Sequence, residues 1–201
     1  MSSWKTKQPN NGSIEITDGV ITVGTAGTTP AAGAITITEA QFGPFVATTF
    51  TLLKARITCT DAAASGSYGT LNLYNFPAAA VSFLGTRQDY TAFAEGAALT
   101  TAAGDAVFEI GVGTTAIAAA ADGTLGNGVN ENVGQAVAVT LSAGTGTGTV
   151  VDGARTAALN GTATALTLNL NWSGSAVTID ATSTLDITGT ITVLWAHMGD
   201  D

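Results

Sequence analysis

The chain has 201 residues, 45% of them hydrophobic but only 10% charged, with a formal net charge of -9. An average globular chain is about 25% charged, so this one must coat itself with Thr, Ser, Asn, Gly and Ala instead of a mixed charged surface. The only cations, Lys5, Lys7, Lys54, Arg56, Arg87 and Arg155, are scattered along an acidic chain, which excludes a phosphate-neutralising nucleic-acid interface and argues against an anionic membrane surface.

A chain of this length buries roughly 70% of its unfolded surface and needs no covalent staples. An uncharged coat is cheap to desolvate, which suits a protein packed against others; the alternative is a stable Thr-coated β-domain that happens to be weakly charged. The N-terminus, MSSWKTKQPNNGS, lacks an apolar core for a secretory signal. No run of about 20 apolar residues exists to span a membrane. Synthesis in a cytoplasm is the expectation.

Residues 1–12 read as an N-terminal arm or tail. Trp4, Lys5 and Lys7 stand out in it, since they hold one of three tryptophans and two of three lysines. As an arm, Trp4 would anchor in a neighbour and the lysines would meet an acidic partner. Ile14–Thr17, Asp18-Gly19 and Val20–Val23 predict a tight hairpin, or one bulged strand. Gly24–Gly33 reads as a loop, and Ala34–Thr38 as a strand broken at Gly43-Pro44.

Phe45–Thr60 predicts one long strand. Leu52-Leu53 breaks its alternation, so a bulge or change of face is expected there. Cys59 alternates with Ala55 and Ile57 and reads as a buried small apolar residue; a single cysteine excludes an intrachain disulfide. Asp61–Ser67 is a loop. Tyr68–Phe76 and the stretch from Val81 through Phe93 read as two strands across Pro77. Asp105–Val112 fits a strand better than a helical turn. Ala116–Ala121 is the one candidate for a short helix, with Gly123 to stop it. Val137–Leu141 is a strand. The Gly-Thr run from Gly144 to Thr149 is a loop or a thin edge strand, and lacks the ending of a phosphate-binding loop.

Leu166, Leu168 and Leu170 share a face of the next strand, and Ser173-Gly174 is expected to turn the chain. Ala176–Ile179 is a short strand. In the last, Leu185, Ile187, Ile191, Val193 and Trp195 share a face, with Gly189 in register, marking a bend or the close approach of a neighbouring strand. Nine to twelve short strands with Gly-rich turns and little helix predict an all-β chain: an antiparallel β-sandwich, jelly-roll-like, as a single domain over 13–196 with a C-terminal tail at 197–201.

No catalytic constellation is visible. His197 is the only imidazole, five residues from the end, so a Ser–His–Asp arrangement has nowhere else to go. Zinc has no Cys/His set. Asp18, Asp122, Asp152, Asp180 and Asp186 are the calcium candidates, but no Asp-x-Asp-x-Asp-Gly loop occurs, and Asp200-Asp201 is a bare terminal pair. Glu15, Glu39, Glu95, Glu109 and Glu131 are scattered singly, without the pair that glycoside hydrolysis needs. Trp4, Trp172 and Trp195 read as core or interface aromatics before a sugar platform. No metal, cofactor or catalytic residue is expected, and the chain is expected not to be an enzyme.

The stretch from Asp61 to Pro77, with Tyr68-Gly69-Thr70-Leu71-Asn72-Leu73-Tyr74-Asn75-Phe76-Pro77, and then Val81-Ser82-Phe83-Leu84-Gly85, resembles a pattern in virion proteins of tailed bacteriophages. There a strand ending in Tyr-Asp-Phe-Pro leads through a short turn to a second strand ending near Leu-Gly. Leu185–Val193 followed by Trp195 is similar to the last strand of such proteins. The likeness spans about half the chain. It departs at Asn75, where the pattern has an acid, and at Ala78-Ala79, where it has a charged turn with glycine. The resemblance implies a component of a phage particle, above all a head decoration (cement) protein on the virion surface. Its partners would be the major capsid protein and copies of itself as a trimer or other small oligomer, with no nucleic acid and no membrane. It supplies no active-site residues. Another virion part (tail, head fibre base or minor capsid protein) and a carbohydrate-binding or adhesin module are the alternatives.

Pro77 cannot donate to a ladder and holds Phe76 extended, so the strand must end there. Plain alternation puts Leu71 and Leu73 on one face, Tyr74 and Phe76 on the other. The aromatic pair is then under a loop or a contact surface. The candidate partner-interface residues are therefore Trp4, Lys5, Lys7, Tyr74, Phe76 and Trp195.

Overall fold

The computed structural model describes residues 24–61, 67–95, 106–118, 125, 129–141, 145–147, 150–153, 157–161, 163–174 and 183–199. The arm with Trp4, Lys5 and Lys7, the hairpin at 14–23 and the strand at 176–179 lie outside them. So does half of the alanine run; its described part, Ala116–Ala118, is not helical.

Twelve strands occur among the described residues, with no helix. They are β1 (Thr25–Ala26), β2 (Ala34–Phe42), β3 (Phe45–Asp61), β4 (Ser67–Asn75), β5 (Ala80–Glu95), β6 (Ala106–Gly113), β7 (Gly134–Leu141), β8 (Thr145–Thr147), β9 (Val150–Gly153), β10 (Ala157–Asn160), β11 (Thr167–Gly174) and β12 (Ser183–Gly199). Every pairing is antiparallel. The expected all-β, jelly-roll-like sandwich is the observed fold. The described part of the Gly-Thr run, Thr145–Thr147, forms the thin edge strand β8 on β5.

The strands make two layers. Sheet A holds β1, β4, β11, β6 and β7; sheet B holds β2, β3, β12 and β5, with β8, β9 and β10 along the far edge of β5. β3 passes from one to the other: its first half pairs with β2, and Thr60-Asp61 pair with β4. On the opposite side, Thr86 Oγ1 donates to Val133 O at 2.6 Å and Gln88 Nε2 to Gln135 O at 2.8 Å. These bonds tie β5 to β7 and draw the layers nearly into a barrel. The two inner faces form one apolar core, in which each large side chain contributes about 1.5–3 kcal/mol.

β12 is the regular axis of sheet B. Leu185, Ile187, Ile191, Val193 and Trp195 all point inward and are buried. Its neighbours accommodate it. Opposite Thr188, β3 carries two residues, Leu53 and Lys54, and β5 carries the extra residue Thr91. Lys54 takes the left-handed conformation with φ 50°, and Leu53 swings outward. This is the bulge that Leu52-Leu53 foretold. At Gly189 the strands pack so closely that a Cβ would overlap the Asp89 carbonyl.

Two boundaries differ from expectation. Ser173 and Gly174 do not turn the chain; they pair with Tyr68 and Ser67 and prolong β11. β12 runs through His197 to Gly199, past the expected limit at 196, because His197 N donates to Pro44 O and the strand still pairs with Val81 and Ala80.

The outer sides of the two sheets differ. Asn169, Asn171 and Ser173 face outward from sheet A yet are buried, because the segments around 114–118 and 129–133 lie over them. Asn171 holds that cover. Its Oδ1 accepts from Thr70 Oγ1 at 2.8 Å and Ile117 N at 3.1 Å; its Nδ2 donates to Thr115 O at 2.9 Å and Asn130 O at 2.8 Å. Sheet B carries no such cover on its outer side among the described residues.

Candidate functional site

Tyr74, Phe76 and Trp195 belong to the core and cannot be a partner surface in this fold. Trp195 follows the inward parity of Ile191 and Val193 on β12; for Tyr74 and Phe76 the reason is a one-residue register shift. Leu168 pairs with Tyr74 but Asn169 pairs with Asn72, so Leu73 is an extra residue in β4. A bulge resets the alternation, and Leu71, Leu73, Tyr74 and Phe76 all end up buried. Phe76 sits edge-on to Tyr74, Phe83 and Trp195 at centroid distances of 5.1, 5.2 and 5.2 Å.

These rings keep their polar atoms satisfied. Trp195 Nε1 donates to Thr48 Oγ1 at 2.9 Å, and Thr48 Oγ1 in turn approaches Glu39 Oε1 at 3.5 Å. The Tyr74 hydroxyl donates to Glu39 and accepts from Gly24 N at 2.6 Å. Burial, and then the Glu39 carboxylate, push the Tyr74 hydroxyl well above its ordinary pKa. It therefore stays a donor at neutral pH. Cys59 is buried as expected, and burial alone raises its thiol pKa far above the ordinary value, so it is no nucleophile.

No three His, Cys, Asp or Glu side chains gather into a metal site among the described residues. Asp186 is engaged by Arg56 through two bonds of 2.6 and 2.8 Å. Trp172 is buried beside Phe108 at 4.8 Å, which removes it, like Trp195, from any sugar-stacking platform.

The surface with binding character is the outer face of sheet B. Its register lays four rows across β2, β3 and β12: Thr36–Thr51–Thr190, Thr38–Thr49–Thr192, Ala40–Ala47–Leu194 and Phe42–Phe45–Ala196. Thr49 and Thr192 hydroxyls lie 3.0 Å apart. Phe42 is 63% exposed and Phe45 is exposed beside it at the Gly43-Pro44 turn; Met198, also 63% exposed, and Leu194 continue the apolar end. Leu53, 60% exposed, marks the other end. Beside it lies a shallow depression of about 350 Å³ lined by Thr36, Thr51, Leu53, Thr91 and Thr188.

No charged side chain occurs in the four rows. The nearest ionic groups on β5, Arg87 and Asp89, sit 3.7 Å from each other. Single exposed apolar residues are ordinary, whereas clustered ones rimmed by polar groups mark interaction sites.

Reading the sequence for unusual residues missed this face. Its signal is parity. Ile35 and Ile37 point inward, so Thr36, Thr38, Ala40 and Phe42 must point outward. The same holds for Thr190, Thr192 and Leu194 against Ile191 and Val193. No protein-family model, no curated protein and no solved structure matches this chain.

Proposed function

We propose that this chain is a non-enzymatic structural protein of a bacteriophage particle, one that decorates and stabilises the capsid by binding the capsid lattice through the outer face of sheet B. The observation that carries the reading is the asymmetry of the two faces. One is sealed by the chain's own loops through Asn171. The other is an uncharged tile of Thr and Ala ending in exposed Phe42, Phe45, Leu194 and Met198. Such a tile loses little solvation on contact and offers aromatic anchors.

The resemblance at Tyr68–Pro77 and Leu185–Trp195 supplies the phage setting. In it the partners are the major capsid protein and copies of this chain as a trimer or other small oligomer, with no nucleic acid and no membrane. The work is mechanical: bridging joints between capsomers on the virion surface after synthesis in the host cytoplasm. No cofactor enters.

The test is the purified particle. Decoration requires the protein on purified heads in hundreds of copies. Its absence from virion gels ends the reading. A count of a few copies per particle moves it to a tail or minor capsid part.

A further inference from the structure

Sheet B has one long strand that nothing pairs along its outer edge among the described residues. β2 is bonded to β3 over all nine residues, Ala34↔Leu53 to Phe42↔Phe45, without a bulge. Its other edge carries no ladder. The remaining edges are managed differently. β5 is lined by the short strands β8, β9 and β10; β7 receives the Thr86 and Gln88 side chains at its start; sheet A ends in the two-residue β1.

Natural edges are guarded by charge, proline, bulges or shortness. β2 is nine residues long, and the single inward charge that could guard it is already engaged. It contains no proline and no bulge. Its one charged residue, Glu39, is turned inward and held by Tyr74 and Thr48. The loop at 26–30 stays off the edge, leaving a cavity of about 220 Å³ toward Ile35 and Ile37.

We infer that β2 pairs antiparallel with β2 of a second copy of this chain, forming a two-fold dimer in which sheet B continues across the axis. The edge is self-complementary. A two-fold normal to the sheet keeps outward residues outward, so Thr36, Thr38 and Ala40 meet one another, and Ile35 and Ile37 meet inward residues. About the axis at Thr38, Glu39 falls beside Ile37 of the second copy and not beside a second carboxylate. The four rows nearest the axis carry no charged side chain, so two acidic copies abut there without like-charge contact.

The pairing also doubles the tile. Three strands about 4.8 Å apart and nine residues long present about 400 Å², half of the roughly 800 Å² per partner of a standard interface. Two tiles side by side reach that size. The doubling matters only under the decoration reading; the unpaired edge does not depend on it.

The experiment uses the full chain in isolation, so its outcome is separate from any particle assay. Light scattering at about 100 µM is expected to give twice the chain mass. Cysteines are placed singly at the outward positions, as Thr36→Cys, Thr38→Cys and Ala40→Cys, and oxidised alone and in pairwise mixtures; native Cys59 is buried and silent. Directly opposed residues lie about 4.5–5.5 Å apart at Cα, within disulfide reach. A residue two positions off the axis is about 13 Å from its mate. Covalent dimers are therefore expected only for combinations that share one axis. Thr36→Lys with Thr38→Lys, both on the exposed face, is expected to give a folded monomer whose melting temperature matches that of the wild type diluted below its dimerisation range. A monomeric wild type, a trimer, a dimer with no cross-link in any combination, or a β2 cysteine that instead joins one placed at Ile16 or Ile21 overturns the inference.

Discussion

The hydroxyl of Tyr74 on β4 donates a hydrogen bond to the carboxylate of Glu39 on β2, across the open side of the sandwich. It is a cross-sheet tie between strands that share no ladder, and Gly24 N leans on the same oxygen at 2.6 Å. Tyr74→Phe keeps the ring and strands both partners. Loss of about 1–3 kcal/mol is expected, read as a lower denaturant midpoint with unchanged m-value.

Alkali should destabilise this protein. Burial raises the pKa of Cys59 and Tyr90 above their ordinary 9.0 and 10.0, and Tyr74 moves the same way. Each is protonated in the fold where the unfolded chain has begun to ionise. The unfolded state then binds fewer protons, so stability is intact below about pH 9 and falls as pH rises through 10. Each group contributes about 1.4 kcal/mol per pH unit in that range. Denaturation curves from pH 7 to 11 check it; a flat profile would contradict the burial of these three groups.

Phe76→Ala removes the ring that three other aromatics meet edge-on. A cost of about 3–5 kcal/mol is expected. Phe42→Asp with Phe45→Asp, at the exposed turn, should shift the melting temperature by only a few degrees while abolishing attachment to particles. Thermal melts and co-sedimentation with stripped heads separate the two.

Gly189→Ala places a methyl group 2.8 Å from Tyr90 Cα and against the Asp89 carbonyl, at a residue with φ 156°. Both neighbours are backbone and cannot yield. Destabilisation of about 3 kcal/mol or more is expected, seen in the yield and melting of the variant beside a Gly85→Ala control, where a Cβ meets nothing.

Asn171→Ala leaves Ile117 N and Asn130 O without their side-chain partner, while Thr115 O keeps only Asn130 Nδ2 at 3.2 Å. About 2–4 kcal/mol is expected to be lost. The loss should be local: amide exchange at Ile117 accelerates while that at Ile191 in β12 changes little.

Most of the strands were legible because period-two alternation is a local signal. β3, β11 and β12 follow from their apolar spacing, β6 from its β-branched content and glycines, and the Leu52-Leu53 irregularity announced its own bulge. The phase change at Leu73 was not legible. Nothing within β4 distinguishes Leu73-Tyr74 from a strand with two apolar faces; the shift is set by Leu168 and Asn169, about 95 positions away in sequence. For the same reason Tyr74 and Phe76 looked spare and were core. Ser173-Gly174 read as a turn because local turn chemistry is weaker than the pairing with Ser67 and Tyr68. The tile itself was readable only after the inward residues were known, since its threonines are unremarkable one at a time.

The buried side-chain amide of Asn171 has a consequence at larger scale. By fastening loops over sheet A it gives the molecule, among the described residues, a finished back and a bare front. A subunit attached by its front turns outward a surface with little left to offer another of its kind. A coat built this way has a definite polarity and stops growing in thickness after one layer, with no separate signal needed to end it.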